Sequence, residues 1–348
     1  MKQARAGLAR RWRRRGGAWW WAIVVIVVPV AVIAAAAVSV LLTFVDTGDP
    51  KNQIELIKTG LTVGAGTGGV VALVLTGRRQ WATEHDAGER RLTELYVKAV
   101  EQLGSEKAAV RQGGLYALER VAQGNPDQRQ TIVNVLCAYL RAPFSVPGAP
   151  VPGRRRGIRR PTDPPRVVLD ELSAQEREVR RTAQRILGFH LRPGPSDRHP
   201  AETFWAGIDL DLTGAVLIDF DFGQCRPRQT RFDEAKFLGD ATFRRAEFTG
   251  DAWFQAARFA GKAWFNGASF GEAAMFEAAT FADDAVFGEV SAAALTTFEG
   301  ATFTGEAWFR SAKFAGVSVF REAKFARGVP AEVESLTGDG VPEAELPR

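Results

Sequence analysis

The feature that most constrains this chain is a rhythm of phenylalanine in its C-terminal half. The gaps between successive Phe alternate between five and six residues, so four steps make 22. One longer gap, from Phe287 to Phe298, has Ala292 in the vacant place and keeps the register. Such regular spacing identifies an internal repeat. The recurring residues are Phe232, Phe237, Phe243, Phe248, Phe254, Phe259, Phe265, Phe270, Phe276, Phe281, Phe287, Phe298, Phe303, Phe309, Phe314, Phe320 and Phe325.

Neither a helix nor a plain strand explains this period, because their side chains repeat about every 3.6 and 2 residues. Most of these Phe follow a small residue, usually Ala, by two positions. A large inward residue on each short side, with a small one before it, indicates a wound β-coil. An 11-residue coil would be overfilled by two rings, whereas a four-sided 22-residue coil holds four. Rings on one side then stack in columns about 4.8 Å apart over about five coils, with a thin spot at Ala292.

The segment 208–325 resembles the pentapeptide-repeat proteins, in the Phe-rich variety with A-x-F units such as Ala235-Lys236-Phe237 and Ala246-Glu247-Phe248. The resemblance implies a right-handed quadrilateral β-helix and supplies no catalytic residues. The whole layout is similar to that of membrane-anchored pentapeptide-repeat proteins of high-GC actinobacteria, including the stretches 99–104 and 114–120.

The N-terminal region has the pattern of a transmembrane hairpin. Seven basic residues and no acid occupy the first 15 positions, and the next 30 residues, 16–45, carry no charge. A second uncharged run, 59–77, ends at Arg78-Arg79. About 20 apolar residues span a bilayer, and arginines favour its cytoplasmic side. We expect two spans in the bacterial plasma membrane with both termini cytoplasmic.

Three glycines within the second span, Gly60, Gly64 and Gly68, recur at four-residue spacing, which favours close helix packing in lipid. The same stretch matches GxGxxG, but a dinucleotide site also needs a βαβ unit. No second strand follows here, so helix packing is the preferred interpretation.

Apolar residues at helical spacing predict cytoplasmic helices over 78–144, followed by a linker rich in proline and arginine. The linker is either solvated or attracted to anionic lipid through Arg154, Arg155, Arg156, Arg159 and Arg160. Nucleic acid is less favoured, because no aromatic residues interleave with the arginines. An amphipathic helix from about Val168 to Phe189 should cap the repeat, since solenoid ends must be covered.

These patterns predict nine segments. They are a basic N-terminus (1–17), a first span (18–45), an outer loop (46–53), a second span (54–77), cytoplasmic helices (78–144), a linker (145–166), a capping helix with an entry loop (167–207), the solenoid (208–326) and a disordered acidic tail (327–348).

The residue before each Phe should point outward, and at the six-residue steps several of these are large and apolar. By the 22-residue period they form rows on two opposite sides. The rows are an interaction stripe or only a paving of the sheet, since aromatic residues also favour strands. The candidate stripe consists of Trp253, Trp264, Met275, Val286, Trp308 and Val319.

The absence of a recognisable chemical motif favours a non-enzymatic, membrane-anchored scaffold or adaptor that binds a protein partner or itself. The alternative from the family is a topoisomerase-binding DNA mimic, although 17 acidic and 12 basic residues over 208–325 imitate DNA weakly. An enzyme of unknown type is the third alternative, and its one candidate cluster is His199, Glu202 and Asp209. Two cysteines and three histidines leave little for a metal centre, and we expect no cofactor.

Overall fold

The computed structural model describes residues 50–144, 166–196 and 198–336, together with five single positions between Val28 and Ser39. The chain divides into two compact units, Met1–Leu92 and Thr93–Arg348. The second unit contains a helical bundle and the β-solenoid that follows it.

Within the ranges 50–144 and 166–196, four helices precede the solenoid. They are α1 (Pro50–Leu103), α2 (Ala108–Gly124), α3 (Arg129–Arg141) and α4 (Arg166–His190), with a 3-10 turn over Pro126–Gln128 between α2 and α3. The predicted second span, 54–77, and the helical sequence after it form one continuous helix, which also takes in part of the predicted outer loop. No proline follows Pro50 within α1, so nothing in its sequence forces a break.

Among the described residues, no helix has a stretch that is both long and apolar enough to cross a membrane. The predicted transmembrane hairpin therefore receives no support from the structure. Most of the first span, 18–45, and the linker arginines between 154 and 160 lie outside the described residues, as does the side-chain packing of Gly60, Gly64 and Gly68.

The repeat folds into a right-handed parallel β-solenoid of about five coils with four sides, as the sequence predicted. Strands β2 (Val216–Asp221) and β4 (Lys236–Thr242) run round the corner from the second side to the third. We name the sides A to D in chain order. Side A has β1 (Leu210–Asp211), β3 (Thr230–Arg231), β6 (Ala252–Trp253), β10 (Ala274–Met275), β14 (Thr296–Thr297) and β18 (Ser318–Val319); side B has β7 (Arg258–Phe259), β11 (Thr280–Phe281), β15 (Thr302–Phe303) and β19 (Lys324–Phe325); side C has β8 (Ala263–Trp264), β12 (Ala285–Val286) and β16 (Ala307–Trp308); side D has β5 (Glu247–Phe248), β9 (Ser269–Phe270), β13 (Ser291–Ala292) and β17 (Lys313–Phe314).

The pairing register confirms the 22-residue coil. Thr230 pairs with Ala252 and Ala274 with Thr296, each a step of 22 residues. The first coil is shorter, because Leu210 pairs with Thr230.

The alternation of five and six residues reflects two kinds of corner. After sides A and C, the amide three residues beyond each inward Phe donates to the carbonyl of that Phe, as in Ala235 N to Phe232 O at 3.0 Å. The residue before that amide has positive φ, for example Glu234 at 56° and Ala256 at 53°. This combination is a type II turn. The corners after sides B and D are wider and take one more residue.

The rings fill the interior in columns. From Phe232 onward, rings one coil apart on the same side stack with centroids 4.4 to 5.0 Å apart, for example 4.4 Å for Phe237–Phe259 and 5.0 Å for Phe287–Phe309. Rings on the opposite sides A and C meet edge to face, as in Phe254–Phe265 at 84°. Both arrangements are favourable for aromatic pairs.

Side D has the one interruption of this pattern over 232–325. Ala292 stands between Phe270 and Phe314 in the register and is buried, while Phe314 is partly exposed. Val290 occupies the place that Ala268 and Ala312 hold in the neighbouring coils and is 1% exposed. The larger valine therefore takes up part of the space that the missing ring leaves.

The bundle covers the first coil with two side-chain amides. Gln184 of α4 donates to Ile218 O at 2.8 Å and accepts from Ile218 N at 2.9 Å. Gln130 of α3 donates to Asp209 O and accepts from Asp209 N, each at 2.9 Å. Each amide thus satisfies backbone groups at the open edge of the coil, as a neighbouring strand would.

The C-terminal segment differs from the prediction of disorder from residue 327 onward. A short helix, α5 (Ala331–Leu336), follows the last coil and buries Val333 completely. A solenoid end needs such a cover. The composition of this segment did not predict the helix. Residues 337–348 lie outside the described part of the chain.

The packing on side D makes a prediction about two substitutions. We expect Ala292→Phe alone to lower stability by about 1–3 kcal/mol, because the new ring competes with Val290 for space. The double variant Val290→Ala/Ala292→Phe restores the A-x-F pattern and should equal or exceed the wild type in its urea unfolding midpoint. A double variant less stable than Ala292→Phe would contradict this account of the gap.

Candidate interaction surface

The outer faces of the solenoid are built by the residues that alternate with the buried rings. On side C the central row consists of Thr242, Trp264, Val286 and Trp308, paired in register across neighbouring strands. On side A the equivalent row runs through Trp253, Met275, Thr297 and Val319. The candidate stripe therefore lies on two opposite faces.

The three tryptophans differ in how far they are covered. The guanidinium of Arg244 lies 4.2 Å from the ring centre of Trp264, and that of Arg231 lies 5.3 Å from Trp253. Both are cation–π contacts, and both rings are half-buried. Trp308 is 43% exposed and has no such contact among the described residues. The two arginines thus cover part of the Trp253 and Trp264 rings. This cover favours the interpretation that these two side chains belong to the sheet surface rather than to an interface.

Side A becomes apolar toward its C-terminal end in a way that the sequence did not suggest. Leu295 and Val317 lie on the corner before the side A strands and are 38% and 67% exposed. Earlier coils have Asp251 and Ala273 at the equivalent positions. Leu295 and Val317 are 22 residues apart and so lie in one row, but the spacing alone does not show that a corner side chain remains uncovered.

Side C has charges of opposite sign on its two edges. The acidic row, at the corner before its strands, consists of Asp240, Asp283, Asp284 and Glu306. Lys262 lies within that row, and its ammonium group is 2.9 Å from Asp284. This hydrogen bond lowers the pKa of Asp284 and raises the pKa of Lys262. Side C is therefore negative along one edge.

The basic row, at the corner after the side C strands, consists of Arg244, Arg245 and Arg310, which are all exposed. Within the described residues, none of these arginines has a carboxylate partner in the same chain. One acid, Glu289, interrupts the row. Side C is therefore positive along its other edge.

An open groove of about 640 Å³ lies at the N-terminal end of the basic row. Arg192 reaches into it from the end of the bundle and pairs with Asp221 at 2.8 Å. Arg244, Arg245 and Asn266 also line the groove. The groove is polar and continues the positive edge of side C.

The bundle contains a buried polar cluster that sequence analysis did not find. His190 is 2% exposed and lies 2.7 Å from both Thr203 O and the Glu119 carboxylate. Its ring stacks on Trp205 with centroids 3.9 Å apart. The cluster joins α2, α4 and the entry to the solenoid. The only sequence signal was a histidine at the end of an amphipathic helix, which many helices share.

The residues nominated for chemistry are not brought together. His199 and Glu202 are exposed, and Asp209 binds Arg228 through a hydrogen bond of 2.7 Å from the Arg228 Nε. Both cysteines are buried, and burial raises the pKa of Cys137 and Cys225 to about 12. Over the described ranges, no group of three or more His, Cys, Asp or Glu side chains could hold a metal ion.

This geometry defines the class of protein as a parallel four-sided β-solenoid with a phenylalanine core. A family model described as pentapeptide repeats (9 copies) matches residues 243–291. Residues 243–291 are therefore pentapeptide repeats, which confirms the resemblance read from the A-x-F units. Comparison with curated proteins and with solved structures gave no match.

Proposed function

We propose that this protein is a non-enzymatic, membrane-anchored scaffold or adaptor that binds a protein partner or itself through the outer faces of its solenoid. The observation that carries the proposal is Trp308, whose side chain is 43% exposed in the central row of side C, on the last strand of that face. Tryptophan is the side chain most enriched among residues that dominate binding energy. A rigid sheet presents it without a cost in loop ordering.

The end of side A adds a second apolar surface. Leu295 and Val317 are both exposed there, close in register to Thr297 and Val319. Contiguous exposed apolar residues on a soluble domain commonly mark contact surfaces. The two opposite faces would let one solenoid contact two neighbours, which is what a scaffold requires.

The outer charges favour this proposal over DNA mimicry. A mimic needs an almost continuous negative surface, whereas the outer row of side B contains Lys236, Arg258 and Lys324. The basic row of side C adds further positive charge. These cations would oppose binding to a surface that recognises phosphates.

The membrane anchor is the second part of the proposal, and it is supported by the sequence. The uncharged runs 16–45 and 59–77 and the arginines beside them would place the protein in the bacterial plasma membrane with both termini cytoplasmic. Arg154, Arg155, Arg156, Arg159 and Arg160 would then lie near anionic headgroups.

The anchor predicts a result in membrane extraction. The full chain should stay in the membrane pellet after alkaline carbonate, because two apolar segments hold it there. A variant that lacks residues 1–77 should move to the soluble fraction. Release of the full chain by carbonate would contradict the anchor.

The binding proposal predicts specific crosslinks in native membranes. Photoreactive residues at positions 253, 264 and 308 should each be compared with position 236 on side B as a control. A specific band at 308 that is absent at 236 would support binding through these faces. If no position crosslinks, the tryptophans only pave the sheet, and the proposal fails.

A further inference from the structure

The two charged edges of side C make this face complementary to itself. The acidic row lies at the start of its strands and the basic row at their end, with the apolar central row between them. Asp240 and Arg244 bracket Thr242 in one coil, and Glu306 and Arg310 bracket Trp308 three coils later. Because Arg244, Arg245 and Arg310 have no carboxylate partner in the described part of the chain, they are available to one outside it.

We propose that side C binds side C of a second copy, with the two solenoids parallel. Two identical faces can meet about a two-fold axis along the rod or along the strands. An axis along the rod places each acidic row against the partner's basic row. An axis along the strands would place acidic row on acidic row, which is repulsive. The charge pattern therefore selects the parallel arrangement.

In the parallel arrangement, the central row meets its own counterpart at every level. Trp308 faces the Trp308 side chain of the second copy, and Val286 faces the second Val286. At the two ends of the face, Arg244 lies opposite Asp240 and Arg310 lies opposite Glu306, whose carboxylate is also 3.7 Å from Arg327 of its own chain. In the middle coils, Lys262 tempers the repulsion between Asp284 and the opposing Glu289, since it already pairs with Asp284 at 2.9 Å.

The size of the face explains why this contact would depend on the proposed membrane anchor. Side C offers four strands, with a height of only about 15–20 Å at about 4.8 Å per coil. A face of this height offers less area than the roughly 800 Å² per partner that a standard stable interface buries. Confinement of both copies in one membrane raises their effective concentration and offsets the small area. The inference thus rests on the proposed function, and a parallel pair keeps both N-terminal ends on the same side.

A single cysteine distinguishes the two arrangements in the full chain in its native membrane. Thr242→Cys faces its own counterpart only in the parallel pair, whereas an antiparallel pair places it near Trp308 of the other copy. Cys137 and Cys225 are buried, so we expect neither to form a disulfide between copies. Ser269→Cys on side D is the matched control, because Ser269 is also half-buried on a strand.

Mild oxidation should give a disulfide-linked dimer with Thr242→Cys and none with Ser269→Cys or the wild type. A dimer that forms only when Thr242→Cys is combined with Trp308→Cys would show an antiparallel pair and overturn the proposal. Equal crosslinking at Ser269→Cys would mean random collision and would also overturn it.

A charge reversal tests the electrostatic argument in the same reporter. We expect Arg310→Glu to lower the crosslinked fraction of Thr242→Cys by about tenfold. Each introduced glutamate would face Glu306 of the other copy, and the two-fold axis produces this repulsive contact twice. Adding Glu306→Arg exchanges both signs at this level and should restore the crosslink. Both side chains are at least partly exposed at corners, and an unchanged thermal midpoint checks the fold. No loss with Arg310→Glu, or a loss without rescue, would overturn the proposal.

Failure of this inference is separable from failure of the proposed function. If photocrosslinking at position 308 gives a partner of different mass and Thr242→Cys gives no dimer, the scaffold proposal stands and self-association does not. If carbonate releases the chain, the anchor fails and the membrane basis of the parallel pair fails with it.

Discussion

Stacking of phenylalanine rings at the spacing of one coil is the interaction on which the rest of this structure depends. Parallel strands lie about 4.8 Å apart, and rings within a column have centroids 4.4 to 5.0 Å apart, as in Phe237–Phe259 and Phe298–Phe320. Backbone hydrogen bonds and ring stacking therefore require the same rise. This agreement between two independent interactions is typical of a sequence that specifies one fold.

The same regularity orders the outside of the molecule. A fixed register places residues 22 apart directly above one another, as Val286 and Trp308 are on side C. Rows of apolar, acidic and basic side chains therefore arise from this register alone. The ends are the places where regularity stops, and Gln184 and Gln130 there bind backbone groups that a further coil would have satisfied. Function is thus expected on the faces, where neighbouring coils already pair their backbone groups.

The sequence predicted what the period determines and missed what single contacts determine. Coil length, the columns and the gap at Ala292 all follow from spacing. Phe220 was not predicted as a core residue. It pairs with Ala241, so its ring occupies the position at which the next coil has a small residue. It is 1% exposed in the first coil. Gln184 and His190 were missed because their roles depend on partners 34 and 71 residues away. On the surface, spacing placed Trp264 and Trp308 in one row, but only the structure showed that Arg244 covers the first.

The most direct test of this account is a distance along the rod. Spin labels at Lys236→Cys and Lys324→Cys lie on the same side, 88 residues and four coils apart. The four-sided coil predicts a separation of about 19 Å between the two backbone positions, that is, four rises of about 4.8 Å. A coil of half that length would give about 38 Å over eight rises. A distance near the longer value would contradict the four-sided solenoid, and with it the rows on which the proposed interfaces depend.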